Sequence, residues 1–322
     1  MIEKCDVFMW RKKIGVLFER NNNLFFEYDK DCTNNISPFI FDKIDNRTHN
    51  FSDLLFNNKL AGVFADTLPD SYGMGVMDKY FIEKRIKPST IDRLLFIGEN
   101  GMGALRYKPD VYSVEDEKNF KEIDNIKELY RASRAITEDD INITQLHHNI
   151  LVSNASAGGA RAKAVVMFNN STNECQLYNT DSKHLKLKDG FIHSLVKFDE
   201  LSMNPALKDV DDVKIEYVYS LLAKKCGIDM PNTFLTKDEG DGKRHFVIER
   251  FDNLNNRPLH MHSLAGLYNH NFNELMDYDY LFRMNNFLGT PKTDRVEIFR
   301  RMIFNYVFRN QDDHAKNFSF IM

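Results

Sequence analysis

Toward the end of the chain the sequence reads Arg309-Asn310-Gln311-Asp312-Asp313-His314-Ala315-Lys316-Asn317. Asp312 and Asn317 stand in a D-x-x-x-x-N spacing, directly after a segment, 293–309, whose apolar residues recur at helical intervals. A carboxylate can take the proton of an attacking hydroxyl, and an amide oxygen can hold a metal ion. Both must sit on one loop to serve one reaction. Taken alone, the pair equally fits a polar loop at a helix end, where Asp and Asn are common.

Three upstream elements narrow the choice. Ser156-Ala157-Gly158-Gly159-Ala160-Arg161-Ala162-Lys163 places a glycine pair before a strand-like run, AKAVVMF. Such a turn can aim backbone N–H groups at phosphate, or it can be a plain hairpin turn. Lys197 interrupts the apolar strand FIHSLVKF (191–198), as a partner for an anion or as an edge-strand lysine that blocks aggregation. Glu216 lies on an amphipathic helix predicted over 212–227, with Gly227 as a C-cap. It can orient Lys197 through an ion pair, or simply be solvated. Phosphate turn, lysine strand, glutamate helix, hinge-like strand (245–251), helix and D-x-x-x-x-N loop follow the order of a protein kinase fold. Agreement of the whole order by chance is much rarer than any single match.

The first half reads differently. VFMW, KIGVLFE and NLFFEYD within residues 6–30 predict a three-stranded antiparallel meander. Residues 31–60 are polar and irregular. Helices are expected over 73–86 and 89–97, the second capped by Ser89 and ended by Gly98, before a glycine turn leading into a strand near 101–107. Charged segments 117–133 and 137–149 read as helices, and LVSN (151–154) reads as strand-like. The helix 293–309 is expected to present an apolar face of Ile298, Met302, Ile303, Tyr306 and Val307.

Composition bounds the function. The 322 residues carry 43 basic and 47 acidic side chains, a formal charge of −4, which excludes a generic polyanion binder. No helix-turn-helix with a basic recognition helix is evident. No run approaches a membrane span, and the first residues lack the apolar core of a secretory signal, so a cytoplasmic protein without a membrane partner is expected. Cys5, Cys32, Cys175 and Cys226 are too scattered for a CxxC metal site or a disulfide framework. His260 and His262 are too close to share one helical face and do not read as a zinc pair.

FADTLPDSYG (64–73), GENGMGALRY (98–107), SAGGARAK (156–163), HSLVKF (193–198), EYVYSLLAKKCGI (216–228), VIERFD (247–252) and NQDDHAKNFSF (310–320) together resemble the HipA-type serine/threonine kinase toxins of bacteria. The resemblance covers essentially the whole chain. It implies an α+β fold: a small β-containing N-terminal module (1–110), a helical connection (111–150) and a protein-kinase-like region (151–322) with an antiparallel β N-lobe and an incomplete helical C-lobe. It implies ATP and Mg²⁺ as cofactors, Asp312 as catalytic base, His314 ordering the catalytic loop and Asn317 as metal ligand. Lys197, Lys163, Arg161, Gly158 and Gly159 would line the ATP site, and backbone groups around Glu249 and Phe251 would meet adenine. Ser156 falls at the family's autophosphorylation position, where modification ejects the loop and switches the kinase off. The implied partners are a HipB-like helix-turn-helix antitoxin, DNA only through that antitoxin, and a protein substrate such as an aminoacyl-tRNA synthetase.

Two departures matter. Ala162 stands where many relatives carry Pro. No Asp follows Asp313, whereas the family carries a second metal-binding Asp after the catalytic loop and further C-lobe helices. The expectation is therefore a chain crippled in phosphoryl transfer unless a second polypeptide supplies the rest, and the alternative reading is an inactive fragment that binds nucleotide or antitoxin only. In the family the later C-lobe helices would cover the apolar face of 293–309, which is therefore expected to be partly exposed here. A small-molecule phosphotransferase is disfavoured by the 64–107 signatures.

Overall fold

Alternating burial builds the first sheet. In β1 (Lys4–Met9), Cys5, Val7 and Met9 point inward. The chain reverses at Trp10-Arg11 into β2 (Lys12–Arg20) and again at Asn21-Asn22 into β3 (Asn23–Tyr28). All four turn residues have positive φ, 49° to 69°, the geometry of tight hairpin turns whose twist matches the strands. The expected meander is thus present, widened by β4 (Thr48–Asn50) within the segment read as irregular. Helices α1 (Gly62–Ala65), α2 (Ser71–Glu83) and α3 (Thr90–Ile97) follow. Ser89 caps α3 and Gly98 ends it, as the sequence predicts, and the cap is a reciprocal box with Asp92. β5 (Leu105–Lys108) then closes the sheet in the order β4-β3-β2-β1-β5. The computed structural model describes residues 2–41, 43–45, 47–54, 59–112, 123–138, 142, 146, 148–159, 161–178, 187–202, 212–238, 242–271 and 274–322.

Of the two predicted charged helices, the observed one is α4 (Ile126–Glu138); the parts of those expectations that fall on 117–122 and on most of 139–147 lie outside the described residues. The next element is a correction. LVSN is not strand-like but part of α5 (His148–Ala155). Residues 150–155 are all buried, so the segment shows no amphipathic period, and a short apolar run buried on all sides reads alike as helix or strand. Asn154 fixes the helix: its amide donates to Ile150 O and accepts from Tyr72 Oη of α2.

The second sheet is antiparallel, in the order β7-β6-β8-β10-β9. It comprises β6 (Arg161–Asn169), β7 (Glu174–Leu177) and β8 (Ile192–Ser202). The chain then passes through α6 (Asp212–Lys225) before β9 (Thr233–Leu235) and β10 (Phe246–Glu249). The short strands β11 (Asn253–Leu254), β12 (Arg257–Pro258) and β13 (Met261–Ser263) lead to α7 (Leu264–Leu267), α8 (Tyr278–Phe287) and α9 (Lys292–Val307). After the 312–317 loop, β14 (Ser319–Ile321) pairs with β13.

Two large apolar cores lie under these sheets. One joins α2, α3, α4 and α5 to β6 and β8, and the other fills the first sheet. The two halves of the chain also touch directly. A Cβ on Gly62 of α1 would sit inside the Gly266 backbone of α7, so only glycine permits this approach. The expected face of α9 is partly exposed, with Ile298 and Met302 half-buried, and the best-covered residue lies outside the expected set. Phe304 is the buried residue, packed on Ala223 and Ile228, while Ile303, Tyr306 and Val307 are exposed. Apolar residues surround much of α9, and the position of α6 decides which of them is covered.

Candidate phosphoryl-transfer site

The site forms where α5, β6, β8 and α6 meet the loop before β14. Register places Lys163 of β6 opposite Lys197 of β8. Lys197 Nζ pairs with the Glu216 carboxylate of α6, the arrangement the kinase analogy anticipates, so Glu216 is not merely a solvated acid. Arg161 pairs with Asp212 at the start of the same helix.

Lys163 is buried and its ammonium donates to Gly158 O at 2.6 Å. Burial, and then the charge of Lys197, pull its pKa from 10.5 down to about 7, against the opposing attraction of Asp70, Glu216 and Asp312. Of these three carboxylates Asp312 attracts Lys163 the least. Gly159 has φ +101°, a backbone conformation that glycine tolerates.

On the loop, the Asp312 carboxylate is 83% exposed, and His314 Nε2 lies 3.4 Å from Asp312 Oδ1. Asn317 Nδ2 donates to Asp312 O at 2.5 Å, which closes the six-residue loop and leaves the Asn317 amide oxygen available as an acceptor. Asp313 is turned away, accepting from Tyr278 Oη at 3.0 Å.

The remaining predicted residues are placed less directly. Glu249 is at the end of β10; its N–H donates to Asn232 O at 2.8 Å and its carboxylate accepts from Asn232 Nδ2 at 2.7 Å. Its amide is thus already used. Among the described residues Phe251 N–H has no hydrogen-bond partner, and its ring is exposed. Ser156 is buried at the end of α5, its hydroxyl donating to Val152 O at 2.5 Å. In this conformation the hydroxyl is held inside the fold.

Two residues escaped sequence reasoning. Asp70, just before α2, accepts from Gly159 N–H at 2.6 Å and pairs with Lys316 of the 312–317 loop. Both lie inside quoted motifs, yet no spacing signals a contact across 246 residues.

Comparison with known proteins agrees with the fold. Residues 5–108 match the HipA N-terminal domain and residues 155–322 the HipA-like C-terminal domain. A chain in the solved complex of the Shewanella oneidensis MR-1 toxin–antitoxin system HipA, HipB and its operator DNA superposes with a TM-score of 0.66 at 18% identity, covering 99% of this chain and 72% of that one. At that identity the likeness speaks for the fold, which is the expected protein-kinase-like one with antiparallel sheets. No curated protein matches the chain. With the second domain match alone spanning more than half of the sequence, the chain belongs to the HipA family.

Proposed function

We propose that the chain binds Mg²⁺-ATP and transfers a phosphoryl group to a serine or threonine hydroxyl, as a toxin of a HipA-type toxin–antitoxin pair. The observation that carries this reading is the Lys197–Glu216 pair standing beside Lys163 and the Gly158-Gly159 turn, with Asp312 within electrostatic reach. The pairing with Glu216 fixes where the Lys197 amino group points, toward the space phosphate oxygens would take. Lys163 and the Gly159 turn supply further donors to the same anion. Asp312, exposed and steadied by His314, is placed to accept a hydroxyl proton.

The residues fit the nucleotide better than they fit the metal. With Asp312 as base, Asn317 is the loop residue left to hold Mg²⁺, which when bound would neutralise charge on the transferred phosphate. That donor set favours a second reading, in which the chain holds nucleotide without turning it over.

We place the unit boundaries near residues 110 and 150, next to the two domain matches. We carry over from the Shewanella complex a HipB-like antitoxin as partner, with DNA reached through it, and from the family a translation protein such as an aminoacyl-tRNA synthetase as substrate. The charge of −4 suits a protein that meets DNA through a companion. No helix among the described residues is long and apolar enough to cross a membrane.

Calorimetric titration with Mg²⁺-ATP, followed by incubation with γ-labelled ATP, tests the reading. We expect binding that Lys197→Ala weakens by at least about tenfold, a loss of roughly 1.4 kcal/mol. We also expect label on Ser156 that disappears in Asp312→Ala. Label persisting in that variant would remove Asp312 from its role, and binding without label would select the second reading.

A further inference from the structure

Asp70 occupies the N-cap position of α2 but makes no side-chain bond to its own helix. An aspartate there ordinarily accepts from the N–H groups of the first turn. Here the carboxylate reaches out instead. One oxygen takes the Gly159 N–H at 2.6 Å, and the other takes Lys316 of the 312–317 loop. The fit is close, since a Cβ on Gly158 would lie 2.7 Å from Asp70 Oδ2. The charge also registers on Lys163, which Asp70 attracts together with Glu216 and Asp312.

Backbone N–H groups of a glycine turn and nearby ammonium groups are the donors that bind phosphate. In this conformation a carboxylate from the N-terminal module is bound to them. We infer that Asp70 is an internal anion seated in the phosphate cradle, and that it competes with nucleotide phosphate for Gly159 N–H and Lys316. The inference rests on the nucleotide-binding reading. An N–H carries one proton, so Gly159 cannot fully serve both acceptors, and two anions sharing one cradle repel. Nucleotide binding then requires Asp70 to withdraw, which couples the N-terminal module to the ATP site.

Asp70→Asn keeps the shape and removes the charge. Asp70→Ser, a favourable N-cap for α2, guards against a folding defect. Affinities for Mg²⁺-ATP and for adenosine, which lacks phosphate, are to be measured by calorimetry on the full chain. We expect both variants to bind Mg²⁺-ATP at least about tenfold more tightly, equivalent to 1.4 kcal/mol, with adenosine unchanged. Unchanged or weaker ATP binding overturns the competition, and equal tightening of adenosine assigns the effect to something other than phosphate. Amide exchange of nucleotide-free protein reads the contact independently. Exchange in 156–163 should quicken in both variants, and unchanged exchange overturns the latch. If the wild-type chain binds no ATP, the proposed function fails, while the exchange experiment still decides whether Asp70 holds the loop.

Discussion

Lys163 faces a second lysine across the sheet, and the consequence can be measured. Burial first and Lys197 second pull its pKa down to about 7, well below the ordinary lysine range. Phosphate placed beside it favours the ammonium and raises that pKa. Between about pH 7 and the ordinary lysine value of about 10.4, nucleotide binding should therefore take up a proton, and affinity should fall as pH rises through this window. Calorimetry at pH 8 in two buffers of different ionisation enthalpy would show the uptake, and Lys163→Met should abolish it. Ser156 makes the opposite point. The family resemblance leads one to expect modification there, but its burial and its bond to Val152 keep the hydroxyl out of reach in this conformation.

At the scale of single elements, local chemistry predicts well where the signal is a cap or a turn. Ser89 and Asp92 close α3 within four residues, and the two asparagines between β2 and β3 take the left-handed conformation they tolerate better than most residues. Ser89→Ala should lower the unfolding free energy by about 1 kcal/mol, read as a lower urea midpoint with an unchanged slope. Prediction failed where the environment is uniform. In α5 burial on all sides erases the period that separates helix from strand, and in α9 the neighbour decides the buried face. Phe304 meets Tyr219 edge-on and lies tilted against Phe308, while Tyr306 is 84% exposed.

Across the whole molecule, the halves are joined by buried polar contacts between distant residues. Asp66 accepts from His262 Nδ1, from Ser263 N–H and from the Ser263 hydroxyl at 2.6 to 2.7 Å. Burial alone would raise its pKa, but the bonds from His262 and Ser263 outweigh that and hold it below the usual carboxylate range. His260 makes a similar link, bonding Ile36 O at 2.7 Å across 224 residues. Burial pulls its pKa from 6.5 down to about 4. A base whose folded pKa is depressed binds fewer protons folded than unfolded, so the stability it confers is full above about pH 6.5 and is lost as pH falls toward 4. The urea midpoint should drop over that interval, and His260→Gln should flatten the drop. An unchanged pH slope would show that the joint does not limit acid stability.

The sequence by itself determined what short stretches of backbone can enforce. A loop of six residues holds Asp312 and Asn317 together, alternation selects the inner faces of β1 and β3, and the ordered motifs point to the kinase-like fold. Tertiary structure decided the rest. Lys197 meets Glu216 because α6 packs on β8, and Asp70 meets Gly159 and Lys316 because α2 packs beside α5 at the mouth of the second sheet. Contacts of the first kind follow from covalent reach and periodicity. Those of the second kind depend on how separately formed elements bury their apolar faces, and a pairing across 246 residues leaves no period or spacing in the chain.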